Sequence, residues 1–417
     1  MKKNTYRIIA KDITQSNDTH ETRLNNNDLI IGPSGAGKTR GYVIPNILQA
    51  NESMIIADTK GDLADTYTPY LEKKGYKVLV MDFKDTLKSC GYNPLDNIRY
   101  DKAVDRYKDQ DIIKLVKCIA PNLDNRDPFW DEQGRTLLTL LITYVLENME
   151  PEARNLITVQ DLFSMWTKES AEQLFSELER ENPDSFALAK YNMVKKNFGS
   201  EKMNASIEAF TAQALDIFTF DGTKKMVTNP EKIDIKAIGR EKTAVFLNIS
   251  DVDRSMDKLV NIFYTQALDM LVEEAESNQD KRLKVPVRFI LDDFATNAHI
   301  PDFENIISVI RSREIYVSII LQSITQLDGI YGPYNAKTII NNCDTMLYLG
   351  GQDDATIELI AKKANRTPDK IQNMELTEAY LFIRGSKPKK VERYDVSDHP
   401  EYEEALALKE GNEAEVM

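Results

Sequence analysis

Residues 32–39 read Gly-Pro-Ser-Gly-Ala-Gly-Lys-Thr, the spacing Gly-x-x-x-x-Gly-Lys-Ser/Thr at which a backbone wraps a polyphosphate. Each residue type answers a chemical need. Gly32, Gly35 and Gly37 permit a tight turn whose N–H groups face an anion with no Cβ in the way. Lys38 is long enough to reach β- and γ-phosphates, and Thr39 offers a hydroxyl to Mg²⁺. A helix beginning here directs its N-terminal N–H groups at the same anion. The expected nucleotide-binding set is therefore Gly32, Pro33, Ser34, Gly35, Ala36, Gly37, Lys38, Thr39 and Arg40. The pattern points to ATP or GTP.

Such a loop needs an acid at the end of a neighbouring strand to hold the metal and orient water. Ile290-Leu291-Asp292-Asp293 supplies two. Asp292 is assigned to Mg²⁺ and Asp293 to the attacking water; the competing account is that both cap the following helix. Asp58 also ends an apolar run, but so soon after the loop that it reads as a turn-forming acid near the site. Gln322 ends a further run, where a glutamine can sense the γ-phosphate or simply cap the strand. Arg311 and Arg313 precede that run. They either complement a helix dipole or reach a neighbouring subunit's phosphates as an arginine finger.

These residues need a scaffold of strands and helices. Asp28 to Ile31 forms an apolar run before the loop, and the segment after it is helical in character, although Pro45 predicts a short or kinked helix. Further apolar runs at residues 54–58, 77–83, 243–249, 287–293, 316–321, 345–349 and 379–383 alternate with helical patterns. That alternation predicts an α/β fold with a predominantly parallel sheet covered on both faces. Between residues 101 and 241 the periodicity is almost purely helical, so an all-α domain interrupts the α/β domain. The expected divisions are an irregular N-terminal arm (1–26), a nucleotide-binding domain in two parts (27–100 and 242–390), the helical domain (101–241) and an acidic tail (391–417).

Composition narrows the class. With 42% hydrophobic and 29% charged residues over 417 positions, the chain is an ordinary globular protein able to bury two cores. Cys90, Cys118 and Cys343 are too dispersed for a zinc site or a Cys-x-x-Cys pair and read as reduced thiols of a cytoplasmic protein. The strongest apolar stretch, residues 137–146, is half the ~20 residues of a spanning helix, so the chain is expected to cross no membrane by itself. The net charge of −14 argues against a generally basic nucleic-acid surface. Residues 391–417 hold nine carboxylates against two basic residues, which leaves the body closer to neutral.

Taken together and in order, the short motifs resemble the TraG/TraD family of type IV secretion coupling proteins, which are conjugative ATPases. The resemblance rests on Gly32 through Arg40 with Val43-Ile44-Pro45-Asn46, Asp58-Thr59-Lys60-Gly61, Tyr92-Asn93-Pro94-Leu95 and Pro128-Phe129-Trp130. It continues in Leu291-Asp292-Asp293-Phe294-Ala295, Ile300-Pro301, Arg311-Ser312-Arg313, Leu321-Gln322-Ser323, Gln326-Leu327 and Tyr331-Gly332, and covers residues 25–390. It implies a RecA-like phosphate-loop domain interrupted by an all-α domain, ATP and Mg²⁺ as cofactors, and a homo-hexameric ring. It also implies recruitment of relaxase-bound single-stranded DNA, or of protein substrates, to the membrane components of a secretion channel. By the same resemblance Arg311 falls on the trans-acting finger, Gln322 on the sensor glutamine, and the helical domain faces the incoming substrate. The acidic tail resembles those that dock relaxosome proteins, and the expected location is the cytoplasmic face of the cell membrane.

Two departures matter. The family usually carries Asp-Glu where this chain has Asp292-Asp293, a side chain one methylene shorter, so slow water activation is expected. The family's usual N-terminal transmembrane helices have no counterpart in this sequence, which is expected either of a soluble portion of a longer protein or of a member that relies on another membrane protein. Two alternatives follow: a nucleotide-gated substrate adaptor with little hydrolysis, and a duplex-DNA motor of the FtsK/HerA kind, which the long helical insert disfavours.

Overall fold

The computed structural model describes residues 5–121, 128–294 and 299–416. Ala295, the last residue of one motif above, lies outside them. The strands, in chain order, are β1 (Tyr6–Ala10), β2 (Ile13–Ser16), β3 (Asp28–Ile31), β4 (Ser53–Asp58), β5 (Lys77–Asp82), β6 (Tyr100–Asp101), β7 (Arg106–Tyr107), β8 (Thr243–Asn248), β9 (Val287–Leu291), β10 (Ile315–Leu321), β11 (Thr345–Tyr348), β12 (Glu378–Ile383) and β13 (Lys389–Glu392). The chain divides into two compact units. One comprises Met1–Lys84, Asp234–Arg254 and Ala267–Met417; the other comprises Asp85–Ile233 and Ser255–Gln266.

The first unit is built on a nine-stranded sheet in the order β13-β12-β11-β3-β10-β9-β4-β8-β5. From β11 to β5 every pairing is parallel, and only β12 runs against the rest, pairing antiparallel with both β11 and β13. Strands β3, β4, β9 and β10 are buried along their whole length, as a parallel sheet covered on both faces requires. This is a RecA-like α/β fold with a helical unit inserted. In that second unit the helix Pro128–Asn148 carries the buried run from Leu137 to Leu146. Phe175 and Tyr191 stack at 4.3 Å in its aromatic core, and β6–β7 is a small antiparallel pair beside the helices. Among the described residues no helix is long and apolar enough to cross a membrane.

Both ends of the first unit differ from the expectation. Where an irregular lead-in was predicted, β1 and β2 form a hairpin, because the charge of Arg7 finds its partner inside the fold. Arg7 is buried, and its guanidinium donates to both carboxylate oxygens of Asp28, at 2.7 and 3.1 Å. Beyond β13, helix Tyr402–Val416 lies against helix Asp62–Lys73, with Glu404 paired to Lys73 and Glu401 to Lys74. The acidic segment thus begins as structure rather than as a loose tail.

Asp28 is the centre of a larger buried network at the start of β3. The Tyr42 hydroxyl donates to it at 2.6 Å, and burial followed by that carboxylate holds the phenol well above its ordinary pKa. Arg288 on β9 reaches Asn26 O and Ser318 Oγ and pairs with Glu52. Burial opposes the charge of Arg288, but Glu52, Tyr42 and Asp28 outweigh it and keep the guanidinium protonated. Removing one member leaves an uncompensated buried charge, at a cost of ~3–5 kcal/mol. Arg7→Ala is therefore expected to lower the unfolding free energy by about that amount in denaturant titrations. A loss below ~1 kcal/mol would show that Asp28 is satisfied without the hairpin.

Candidate nucleotide site

The register of three adjacent strands brings the predicted residues to one edge. Ile31 pairs with Leu321 on one side and Tyr348 on the other, so residues 32, 322 and 349 leave the sheet together. Gly32 N–H donates to Leu321 O at 3.0 Å and Leu349 N–H to Ile31 O at 2.7 Å. On β9, Leu291 pairs with Ile319, which places Asp292 at the same carboxyl edge. Ligands of open α/β sheets bind at this edge.

Within the loop the glycines have separate reasons. Gly35 and Gly37 have φ of +77° and +82°, in the left-handed region that side chains avoid. Gly32 is needed for packing, since a Cβ there would stand 2.9 Å from the Cβ of Leu349. Lys38 is buried, its ammonium donating to Gly32 O at 2.8 Å and Pro33 O at 3.1 Å. Pro33, Ser34, Gly35 and Gly37 are exposed, Ala36 is buried, and Arg40 points to solvent near Asp395.

Past the loop the helix starts as a π-turn, Thr39–Val43, before becoming α over Ile44–Leu48. Pro45 explains this. It has no N–H for Gly41 O, and its ring crowds that carbonyl, so the chain widens and Ile44 N–H bonds Thr39 O instead. The short, irregular helix predicted from Pro45 is what forms.

Thr39 and Asp292 meet directly. Thr39 Oγ1 donates to Asp292 Oδ2 at 2.9 Å. Burial, and then the neighbouring Asp293, push the Asp292 carboxyl up to about 6, against the pull of Thr39 and Lys38. Asp293 follows with φ of +48°, a left-handed conformation that aspartate tolerates, and its N–H donates to Asp292 Oδ1 at 3.1 Å. Thr39 and Asp292 are hard oxygen donors, the kind Mg²⁺ takes when phosphates and water fill its remaining positions. No cluster of three or more His, Cys, Asp or Glu able to hold a metal occurs among the described residues. The donor set fits a metal bound largely through its substrate.

Gln322 is exposed beside Gly32, with its N–H donating to Gln326 Oε1 at 2.9 Å. Arg311 is placed elsewhere. It lies before β10, whose seven residues span ~23 Å, at the opposite edge of the sheet from Gln322, and its Nη2 donates to Thr19 O at 3.4 Å. Arg313 is committed to Glu276 at 2.5 Å. Asp58 accepts from the N–H groups of Gly61, Leu63 and Ala64 and so caps helix Asp62–Lys73, which makes it a turn-forming acid.

Sequence reasoning missed Arg393. Its guanidinium donates to Ala36 O at 2.9 Å, Leu349 O at 2.6 Å and Glu378 O at 2.9 Å, fastening the phosphate loop to β11 and β12. The available sign was that Arg393 is one of only two basic residues in the 27-residue acidic segment.

With this geometry in view, the comparison with known families is decisive. A family described as type IV secretory system conjugative DNA transfer matches residues 2–367. The chain belongs to that family. VirD4 of Rhizobium radiobacter is 22% identical over 361 residues, spanning 85% of this chain and 50% of that protein. TraG of Agrobacterium fabrum is 21% identical over 417 residues, spanning 86% of this chain and 58% of that one. The chain thus spans about half the length of these coupling-protein relatives. Among solved structures, the plasmid coupling protein TrwB in complex with the non-hydrolysable ATP analogue ADPNP superposes with a TM-score of 0.68. It has 17% identity, over 93% of this chain and 89% of that one. TrwB in complex with ADP and Mg²⁺ gives 0.65, also at 17% identity, over 89% and 86%.

The left-handed glycines give a direct test of the loop. A Cβ on Gly37 would meet nothing within 4 Å, so the effect of Gly37→Ala is conformational alone. It is expected to lower stability by ~1–2 kcal/mol in thermal unfolding. An unchanged midpoint would show that the loop relaxes out of this conformation.

Proposed function

We propose that this chain is the ATPase region of a conjugative coupling protein. It recruits relaxase-bound single-stranded DNA, or a protein substrate, to a type IV secretion channel and uses ATP to hand it over. The observation that carries this reading is the Thr39–Asp292 contact at the mouth of the phosphate loop, at 2.9 Å. It joins the loop to the strand-end acid that ATP hydrolysis requires.

In this reading Lys38 exchanges the carbonyls of Gly32 and Pro33 for β- and γ-phosphate oxygens, and the loop amides cradle the chain of phosphates. Thr39 and Asp292 would hold Mg²⁺, which would supply charge neutralisation at the transferring phosphoryl group. Asp293 orients the attacking water and accepts its proton; its shorter side chain makes turnover slow. Gln322 reports whether the γ-phosphate is present. Arg311, too far from the loop of its own chain, completes the site of the next subunit in a homo-hexameric ring. The relaxosome, single-stranded DNA and membrane components of the channel are its partners, with the chain acting at the inner face of the membrane. TrwB bound to ADPNP, and to ADP with Mg²⁺, supports the cofactor pair.

Lys38→Ala is expected to abolish both ATP turnover and substrate transfer, measured as phosphate release and conjugation frequency. Retention of both would refute the proposal. Asp293→Asn should keep ATP binding and lose transfer. Asp293→Glu separates this reading from the adaptor alternative: a large gain in turnover with transfer unchanged favours an adaptor, whereas a parallel change in both favours a motor.

A further inference from the structure

The cavity beside the phosphate loop lies on the flank of β3 away from Asp292 and Gln322. Strand β3 has β10 on one flank and β11 on the other. Gln322 and Asp292 follow β10 and β9, so the metal and the γ-phosphate belong to that flank. The rest of a bound nucleotide must leave the loop toward β11, β12 and β13. There a cavity of about 430 Å³ opens against Gly35, Gly37, Arg40, Leu376, Thr377 and Tyr394. Its size lies within the ~300–1,000 Å³ of small-molecule sites.

Its walls have the chemistry of a nucleoside site. Leu376 is a large apolar side chain left 84% exposed, and the half-buried Tyr394 lines the same space. Thr377 offers a hydroxyl, and Asp395 and Asp398 offer carboxylates. The segment is also fixed to the loop. Arg393 holds Ala36 O, and Lys11 in the β1–β2 turn pairs with Glu392 at 2.9 Å. A Cβ on Gly41 would stand 3.0 Å from Tyr394 O, so glycine lets this strand approach the helix after the loop.

We infer that residues 376–398, which lie beyond the matched family region, form the nucleoside subsite, with Leu376 and Tyr394 as the walls that take the base and Arg393 as a positioning residue for the loop. The inference rests on the nucleotide reading above but is separable from it. Inorganic tripolyphosphate with Mg²⁺ uses the phosphate loop alone, whereas MgATP uses both parts.

The test is calorimetric titration of the full chain with each probe. Leu376→Ser and Tyr394→Ala are each expected to weaken MgATP about tenfold while tripolyphosphate changes less than about twofold, the loss of base stacking being felt only by the nucleotide. Truncating the exposed Leu376 removes little packing, and matched melting midpoints keep the comparison sound for Tyr394. Unchanged MgATP affinity in both variants, or equal losses for the two probes, would overturn the subsite. Lys38→Ala should lose both probes; if it lost neither, the nucleotide reading itself would fail.

Discussion

The carboxylate of Asp28, buried at the base of β3, is the constraint on which the rest of the first unit depends. A lone charge cannot stay there, and so the structure converges on it. Arg7 arrives from the hairpin, Tyr42 from the helix behind the phosphate loop, and Arg288 from β9 approaches to 3.5 Å. Ser318 of β10 joins through Tyr42 and Arg288. This one network therefore fixes the strand before the loop, the helix after it and both strands that carry strand-end site residues. Asp28, Ser318 and Arg288 each stand four residues before Gly32, Gln322 and Asp292, so an error in their position becomes an error in the site.

The same sheet order divides the site's labour. Residues expected to handle the metal and γ-phosphate follow β10 and β9, on one flank of β3; the Arg393 clamp and its cavity belong to the other. Arg311 belongs to neither, because β10 separates it from the loop by its full length. In the proposed function the arginine at this amino end therefore serves the site of another subunit.

Much of this was legible in the sequence, and the reason differs by element. Buried parallel strands announce themselves as unbroken apolar runs, which is why β3, β4, β8, β9, β10 and β11 were readable. The phosphate loop and Asp292 were readable because their chemistry restricts residue type. The hairpin was not, since Arg7 in Tyr6–Ala10 is tolerable only through a partner 21 residues away. Strand β13, Lys-Lys-Val-Glu at the sheet edge, carries the charges that edge strands use and has no apolar pattern. Arg393 was hidden for the same reason as Arg7: its partners are backbone carbonyls at Ala36, Leu349 and Glu378, and no local spacing encodes them.

The central claim is that a complete catalytic site needs two chains, one contributing the loop with Asp292 and the other Arg311. The most direct measurement mixes Lys38→Ala and Arg311→Ala chains in equal amounts and follows ATP hydrolysis on single-stranded DNA. Each variant alone should be inactive. The mixture should regain part of the wild-type rate, because some junctions pair an intact loop with an intact arginine. Full activity of Arg311→Ala on its own, or a mixture that assembles and stays as inactive as its components, would contradict the account.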